Sequence, residues 1–298
     1  MTDIHADDYA LTPNTSNDML ECMLAGKLDS ISIVPNTGCF EECMDMLYKA
    51  IPSMPFLPLM SVHINLVEGI CLTDSGLGSN LTFSWGQLFL YSYTLPPSNR
   101  VRRGIRAEIA AQIKKCMPAI NKCLETAKAN NIKFTQKGLR IDSHQHTHHL
   151  PMVWKSIISV INENKYDVEY IRCSREPLSV FLSKPKLFGT YRPVNAVKNI
   201  ILAMYAGKID KYCQENGLHK MYLWGLLMSG MMDYPRIEKL KKAMEIKAEA
   251  AGRDLEILFH PGQALPDEIN DELDAEAAKE FYLSSNRIVE KNSLIKLR

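Results

Sequence analysis

The sequence predicts an α/β protein, a TIM-barrel-like (β/α) barrel with about seven strands and a distorted outline. Three observations predict it. Short apolar, β-branched runs alternate with longer helical patterns along the whole chain. The 298 residues, 46% of them apolar, fit one barrel with a sizeable core. The unusual polar clusters fall just after the apolar runs, where a barrel of this type carries its chemistry.

The strand candidates, in order, begin with the short segment Thr2 to His5. Ile31-Ser32-Ile33-Val34 follows, stopped by Pro35, and then Leu57 to Leu66, starting after Pro58. Leu139 to Ile141, Val168 to Cys173, Met221 to Leu226 and Leu255 to Phe259 complete the set. Between them, apolar residues recur at three- and four-residue spacing over Asp18 to Leu24, Phe40 to Ala50, Arg106 to Asn130, Met152 to Asn164, Val194 to Asn216 and Pro235 to Ala251. Pro235 suits a first helical turn and Gly252 a C-terminal stop. Residues 71–103 read as an irregular insertion, with Gly76, Gly78, Gly86, Pro96 and Pro97 among Trp85, Phe89, Tyr91 and Tyr93. Such a segment is either a lid or binding loop, or a surface excursion that packs down. No repeat or linker divides the chain, so residues 1–298 read as a single domain.

Composition removes several function classes. A net charge of +1 without a basic stripe argues against a nucleic-acid partner. The most apolar run, Met221 to Met232, falls short of the roughly 20 residues a membrane span needs. With no basic-then-apolar leader, a cytoplasmic location is expected. The eight cysteines contain no Cys-x-x-Cys pair and read as reduced thiols. Neither Gly-x-Gly-x-x-Gly nor a phosphate-cradling loop is present.

Seven of the eight histidines fall in four places, and only His219 lies outside them. These are His5-Ala6-Asp7-Asp8, His63-Ile64-Asn65, Asp142 to His149, and His260-Pro261-Gly262. Taken singly, each has a bland reading: paired aspartates cap turns, a lone histidine is often a satisfied core residue, and Pro-Gly is an ordinary turn. Taken together, an oxygen ligand and two imidazoles suit a catalytic divalent metal. A spare carboxylate then serves as base and a further histidine as acid, a complete set for hydrolysing an amide or ester.

The motif Ala6-Asp7-Asp8-Tyr9-Ala10-Leu11-Thr12-Pro13-Asn14 resembles the opening of the YdjC-like carbohydrate deacetylases, the chitooligosaccharide (chitin disaccharide) deacetylase family. The likeness continues through Val62 to Gly69, Asp142 to Pro151, Tyr170-Ile171-Arg172 and Leu258 to Gly262, in the family's order. Ala10 stands where the family usually has glycine, and Gln145 replaces a frequent second histidine. The resemblance implies a TIM-barrel-like fold, removal of N-acetyl groups from amino sugars, and a divalent cation, Mg2+ or Zn2+. It implies Asp8, His63 and His144 as metal ligands, Asp7 as the base and His260 as the acid, with His146 and His148 near the pocket. Sugar rings would stack on aromatics, with Trp85, Trp224 and the tyrosines of residues 85–93 as candidates.

The implied partner is an N-acetylated sugar or oligosaccharide, with neither nucleic acid nor membrane involved; a homodimer is left open. Three other readings stay in play: a metal-dependent amidohydrolase or phosphoesterase acting on a different substrate, a metal- or sugar-binding protein without catalysis, and a protein whose histidines merely satisfy a polar core. Phosphoester chemistry usually uses two metals about 4 Å apart and so calls for extra bridging carboxylates.

Overall fold

The computed structural model describes residues 1–191, 193–273 and 276–297. Strands and helices alternate as β1 (Thr2–Tyr9), α1 (Pro13–Leu24), β2 (Ser30–Ile33), α2 (Phe40–Ala50), β3 (Leu59–Ile64), α3 (Trp85–Thr94), α4 (Arg100–Ala129) and β4 (Leu139–Ser143). They continue as α5 (Pro151–Asn164), β5 (Val168–Ile171), α6 (Leu178–Leu182), α7 (Pro193–Glu215), β6 (Met221–Trp224), α8 (Tyr234–Ala250), β7 (Asp254–Phe259), α9 (Glu276–Tyr282) and α10 (Asn286–Lys296). The seven strands form one sheet in the order β5-β4-β3-β2-β1-β7-β6, and every pairing is parallel.

The sheet curls into a half-barrel with β5 and β6 at its two edges. The Tyr170 hydroxyl on β5 donates to Glu256 on β7, across the interior rather than along the sheet. Near the seam between the two edge strands, Leu223 N–H donates to Arg175 O at 3.0 Å. This is the α/β barrel-like architecture the alternation predicts.

Side chains on a strand alternate between its two faces, and the two faces here differ sharply. Ile4, Ala6, Ile31, Ile33, Val62, Ile141 and Ile257 pack in the main apolar cluster with the helices. The other face points inward and is polar. Asp3, His5 and Asp7 of β1 meet Ser30 and Ser32 of β2, Asp142 of β4 and Glu256 of β7. A buried ion must be paired to be tolerated, and one cation serves three of these carboxylates. Arg172 donates to both oxygens of Asp7 at 2.8 Å and lies 3.0 Å from Asp142 Oδ2. Its Nε stands 2.7 Å from Glu256 Oε1, at ion-pair distance but without hydrogen-bond alignment.

This interior explains the first strand. Thr2 to His5 reads as a short polar segment, yet β1 extends to Tyr9, because its polar residues have partners inside the barrel. The 71–103 segment is also more regular than expected. Ser84 accepts from Gln87 N–H and Gln87 returns a bond to Ser84 N–H, a capping box that starts α3. Two other helices start earlier than their apolar spacing suggests: Thr12 and Pro13 open α1, and Asn99 caps α4. Among the described residues no helix is long and apolar enough to cross a membrane.

Candidate metal centre

The site lies at the carboxyl ends of β1, β3 and β4. On an undisturbed strand Asp7 and Asp8 would face opposite ways. The β1–β2 register slips between Ala6 and Tyr9, and Asp8 adopts φ 75°. This bulge re-aims the second carboxylate, so Asp7 stays in the interior while Asp8 turns toward His63 and His144. Asp8 Oδ1 lies 3.6 Å from His63 Nε2 and 3.2 Å from His144 Nδ1. The other oxygen, Oδ2, receives Arg287 Nη1 from α10 at 3.2 Å.

Asp8, His63 and His144 each offer a ligand atom, and the three atoms lie within 4.8 Å of one another. All three residues are buried. The donor set fits a divalent cation: one carboxylate oxygen and two imidazole nitrogens converge, and each ring has a carboxylate behind it. His63 Nδ1 is 2.6 Å from Asp142 Oδ1, and His144 Nε2 is 3.1 Å from Glu68 Oε1. Burial pushes the His144 ring down, but Asp8 and Glu68 on its two sides bring it up to about 10. The ring must therefore give up a proton before its Nδ1 can act as a ligand.

Two further groups of donors, Asp3–His5–Glu256 and His5–Asp7–Asp142, are poorer candidates. Arg172 already pairs with Asp7, Asp142 and Glu256, and Arg140 lies 4.0 Å from Asp3 Oδ2. Ser30 and Ser32 engage both nitrogens of His5 at 2.6 and 2.7 Å.

Two of the ligand candidates, His63 and His144, border a cavity of about 370 Å³, lined also by Asp7, His146, His260 and Tyr282 among others. A larger groove of about 430 Å³ opens at the opposite end of the strands, near Met1, His219 and Asp254, away from every cluster singled out above. Within the cavity, burial would raise the Asp7 carboxyl, but the Arg172 guanidinium, with His63 and His5, holds it well below the ordinary range. Burial pushes His260 down to about 4, against the pull of Asp8 and Asp7, so its ring is neutral at pH 7. Glu290 of α10 accepts the His260 N–H at 2.7 Å and fixes its backbone.

The histidine run divides. Positive φ at Gln145 (52°) and His146 (60°) kinks the helical turn His144–His149. His144 and His146 face the cavity, the latter with Nδ1 3.0 Å from Ser174 Oγ. His148 and His149 face the other way. His148 sits between Ser143 Oγ (2.6 Å) and Arg172 O (2.9 Å), away from the cavity lining. His149 accepts from Ser174 N–H and stands 3.2 Å from Leu202 O. Burial lowers both rings, so they act as neutral brackets. Trp85 is absent from the cavity lining and packs against the cluster of Leu202, Leu223, Leu226 and Leu258, and Trp224 is fully buried core.

Sequence reasoning gave no role to Glu68, Arg172, Tyr282 or Arg287. Glu68 and Arg172 lie inside the motifs quoted above, which was the available signal. Tyr282 and Arg287 come from α9 and α10, for which the sequence offered no marker.

The family model described as "YdjC-like protein" matches residues 3–122 and 133–296. No curated protein matches the chain. The crystal structure of a "putative cellobiose-phosphate cleavage protein" from Enterococcus faecalis V583 is similar, with a TM-score of 0.56 and 16% identity, covering 99% of this chain and 90% of that one. That identity supports a shared fold and nothing finer. The motifs fall in order on the carboxyl ends of one curled parallel sheet, and with the family model matched along nearly its whole length, the chain belongs to the YdjC-like family.

Proposed function

We propose that this chain is a metal-dependent hydrolase that removes N-acetyl groups from amino sugars such as chitooligosaccharides. The observation that carries the reading is the convergence of Asp8, His63 and His144, the two histidines of which line the cavity that also holds Asp7 and His260. A cation held there, Mg2+ or Zn2+, would supply Lewis acidity toward a water and a carbonyl. Asp7 takes the proton of the attacking water, held in place by Arg172. The new C–O bond forms, the C–N bond breaks, and acetate leaves with a free amine. His260 delivers the proton the amine nitrogen needs. Because its ring starts neutral, it must first receive a proton, and the one Asp7 took from water, handed on to His260, closes the balance.

A cavity of about 370 Å³ accommodates a small sugar rather than a polymer. His146, neutral and facing the cavity, is a hydrogen-bonding residue for sugar hydroxyls. Arg172 spans the further carboxylates that a two-metal phosphoesterase would need, which favours amide hydrolysis.

The test is acetate release from N-acetylglucosamine, diacetylchitobiose and longer oligomers, with and without chelator. Chelator-sensitive release supports the reading, whereas cation binding without release from any of them points to a non-catalytic binder. A phosphorylated disaccharide belongs in the panel. Lys198 lines the cavity, no carboxylate among the described residues pairs with it, and burial lowers its amine only to about 8, so it stays cationic.

A further inference from the structure

We propose that Glu68, together with Tyr282, is the positioning residue for His144, fixing which ring nitrogen faces Asp8 and so setting the affinity of the site for its divalent cation. This rests on the reading that Asp8, His63 and His144 hold that cation.

An imidazole can bind a metal through only one nitrogen when the other carries the proton, and a neutral ring left alone populates both tautomers. His144 Nδ1 is 3.2 Å from Asp8 Oδ1, on the side where the ligand atoms converge. Its Nε2 is 3.1 Å from Glu68 Oε1, on the far side of the ring. Glu68 therefore stands on the far side of the ring at ion-pair distance and is not a fourth ligand, and the aligned hydrogen-bond partner of Nε2 is the Tyr282 hydroxyl. The Tyr282 hydroxyl donates to the same Glu68 oxygen and lies 3.0 Å from Nε2. Both groups select the tautomer that leaves the Nδ1 lone pair free. The second imidazole is arranged in the same way with its nitrogens exchanged. His63 Nε2 faces Asp8 and its Nδ1 meets Asp142 at 2.6 Å.

The loop after β3 is built to hold Glu68 there. Asn65 Oδ1 accepts the N–H of Val67 (3.2 Å) and Glu68 (3.3 Å). Asn36 Nδ2 donates to Glu68 O at 3.0 Å. The next residue, Gly69, has φ 85°, and a Cβ added to it would lie 2.5 Å from Asn36 O, so the turn needs glycine. Glu68 Oε2 is buried without a hydrogen-bond partner, which shows that the carboxylate is aimed by its single engaged oxygen.

The test uses the full chain stripped of metal and titrated with Zn2+ against a chromophoric chelator, comparing wild type, Glu68→Ala, Glu68→Gln and Tyr282→Phe. Glu68→Ala should bind about 10–100-fold more weakly. Glu68→Gln keeps an acceptor oxygen and should recover part of that loss. Tyr282→Phe, lacking one hydrogen bond, should weaken binding about fivefold. Nitrogen-15 NMR of the zinc-free, deprotonated ring should show His144 protonated at Nε2 in wild type and as a tautomer mixture in Glu68→Ala. Equal Zn2+ affinity and an unchanged tautomer in the Glu68 variants would overturn the inference while leaving the metal reading intact. Wild type that binds no Zn2+ would overturn the metal reading itself. Should Glu68→Ala fail to fold, Glu68→Gln and Tyr282→Phe decide the matter by the same two readouts.

Discussion

Among the described residues, four non-glycine residues at the carboxyl end of the strands hold positive φ: Asp8 (75°), Ala10 (66°), Gln145 (52°) and His146 (60°). Toward the amino end two do, Asn131 (57°) and Lys165 (53°). A left-handed backbone costs an ordinary residue on the order of 1 kcal/mol wherever it occurs. At the amino end both residues are exposed and lie just past helix ends, where the conformation merely closes a turn. At the carboxyl end Asp8, Ala10 and His146 are buried, and side-chain contacts hold the strained backbone in place. Asp8 is fixed by His144 and Arg287, and His146 by Ser174. The same local cost is incidental at one end and at the other aims the side chains of the proposed site.

If that difference is functional, removing what the strain positions should cost far more than removing the strain elsewhere. The largest effect is expected for Asp8→Ala. It should abolish cation binding and lower acetate release by about 10³-fold or more, the several kcal/mol a catalytic metal contributes. Full activity without bound metal would break the comparison at its centre. Asp7→Asn comes next. It should keep Zn2+ affinity within a few-fold and lower kcat by about 10²–10⁴-fold, as for a lost general base. An unchanged kcat would remove Asp7 from the assigned role.

Arg172→Met tests the interior that supports the site. It leaves Asp7, Asp142 and Glu256 buried without their shared cation. The expected loss is about 3–5 kcal/mol at pH 7, measured by denaturant unfolding. The pH dependence has a definite sign. Burial raises the Asp142 carboxyl, but Arg172 and His63 hold it below the ordinary value of 3.8. A depressed carboxyl contributes stability above its unfolded value and loses it as pH falls through the folded one. The gap between wild type and Arg172→Met should therefore shrink below about pH 4. A gap that stays constant through that range would mean Arg172 acts through packing alone.

Much of the fold was legible because apolar periodicity reports the face that packs on helices. Phe40 to Ala50 was readable residue for residue, since Phe40, Met44 and Leu47 repeat at helical spacing. β1 was shortened because its inward face is charged, and a charged interior looks like a surface until Arg172, 165 residues away from Asp7, is folded against it. The proposed ligands were readable because strand ends in a barrel share one rim. Tyr282 and Arg287 were not, since each reaches the site only through tertiary contact, Arg287 from 279 positions beyond Asp8. Their helices are short and follow the last strand, outside the strand–helix alternation that marks the others.

The smallest predicted effect gives the cleanest contrast between the two ends. Lys165 is the exposed C-cap of α5, with φ 53° and ψ 40°. Glycine accepts this conformation without strain, and the lysine side chain has no packing there to lose. Lys165→Gly should raise stability by about 0.5 kcal/mol, the relief of strain less the extra entropy of the unfolded chain. Ala10→Gly at the rim relieves a similar φ of 66° but deletes a fully buried methyl. That methyl contributes about 0.8 kcal/mol, which offsets the relief. Its net effect should lie at or below zero, and thermal unfolding of the two variants side by side measures the difference. A clear gain from Ala10→Gly would show that the rim backbone is strained beyond what its packing returns, and the two ends would then differ only in exposure.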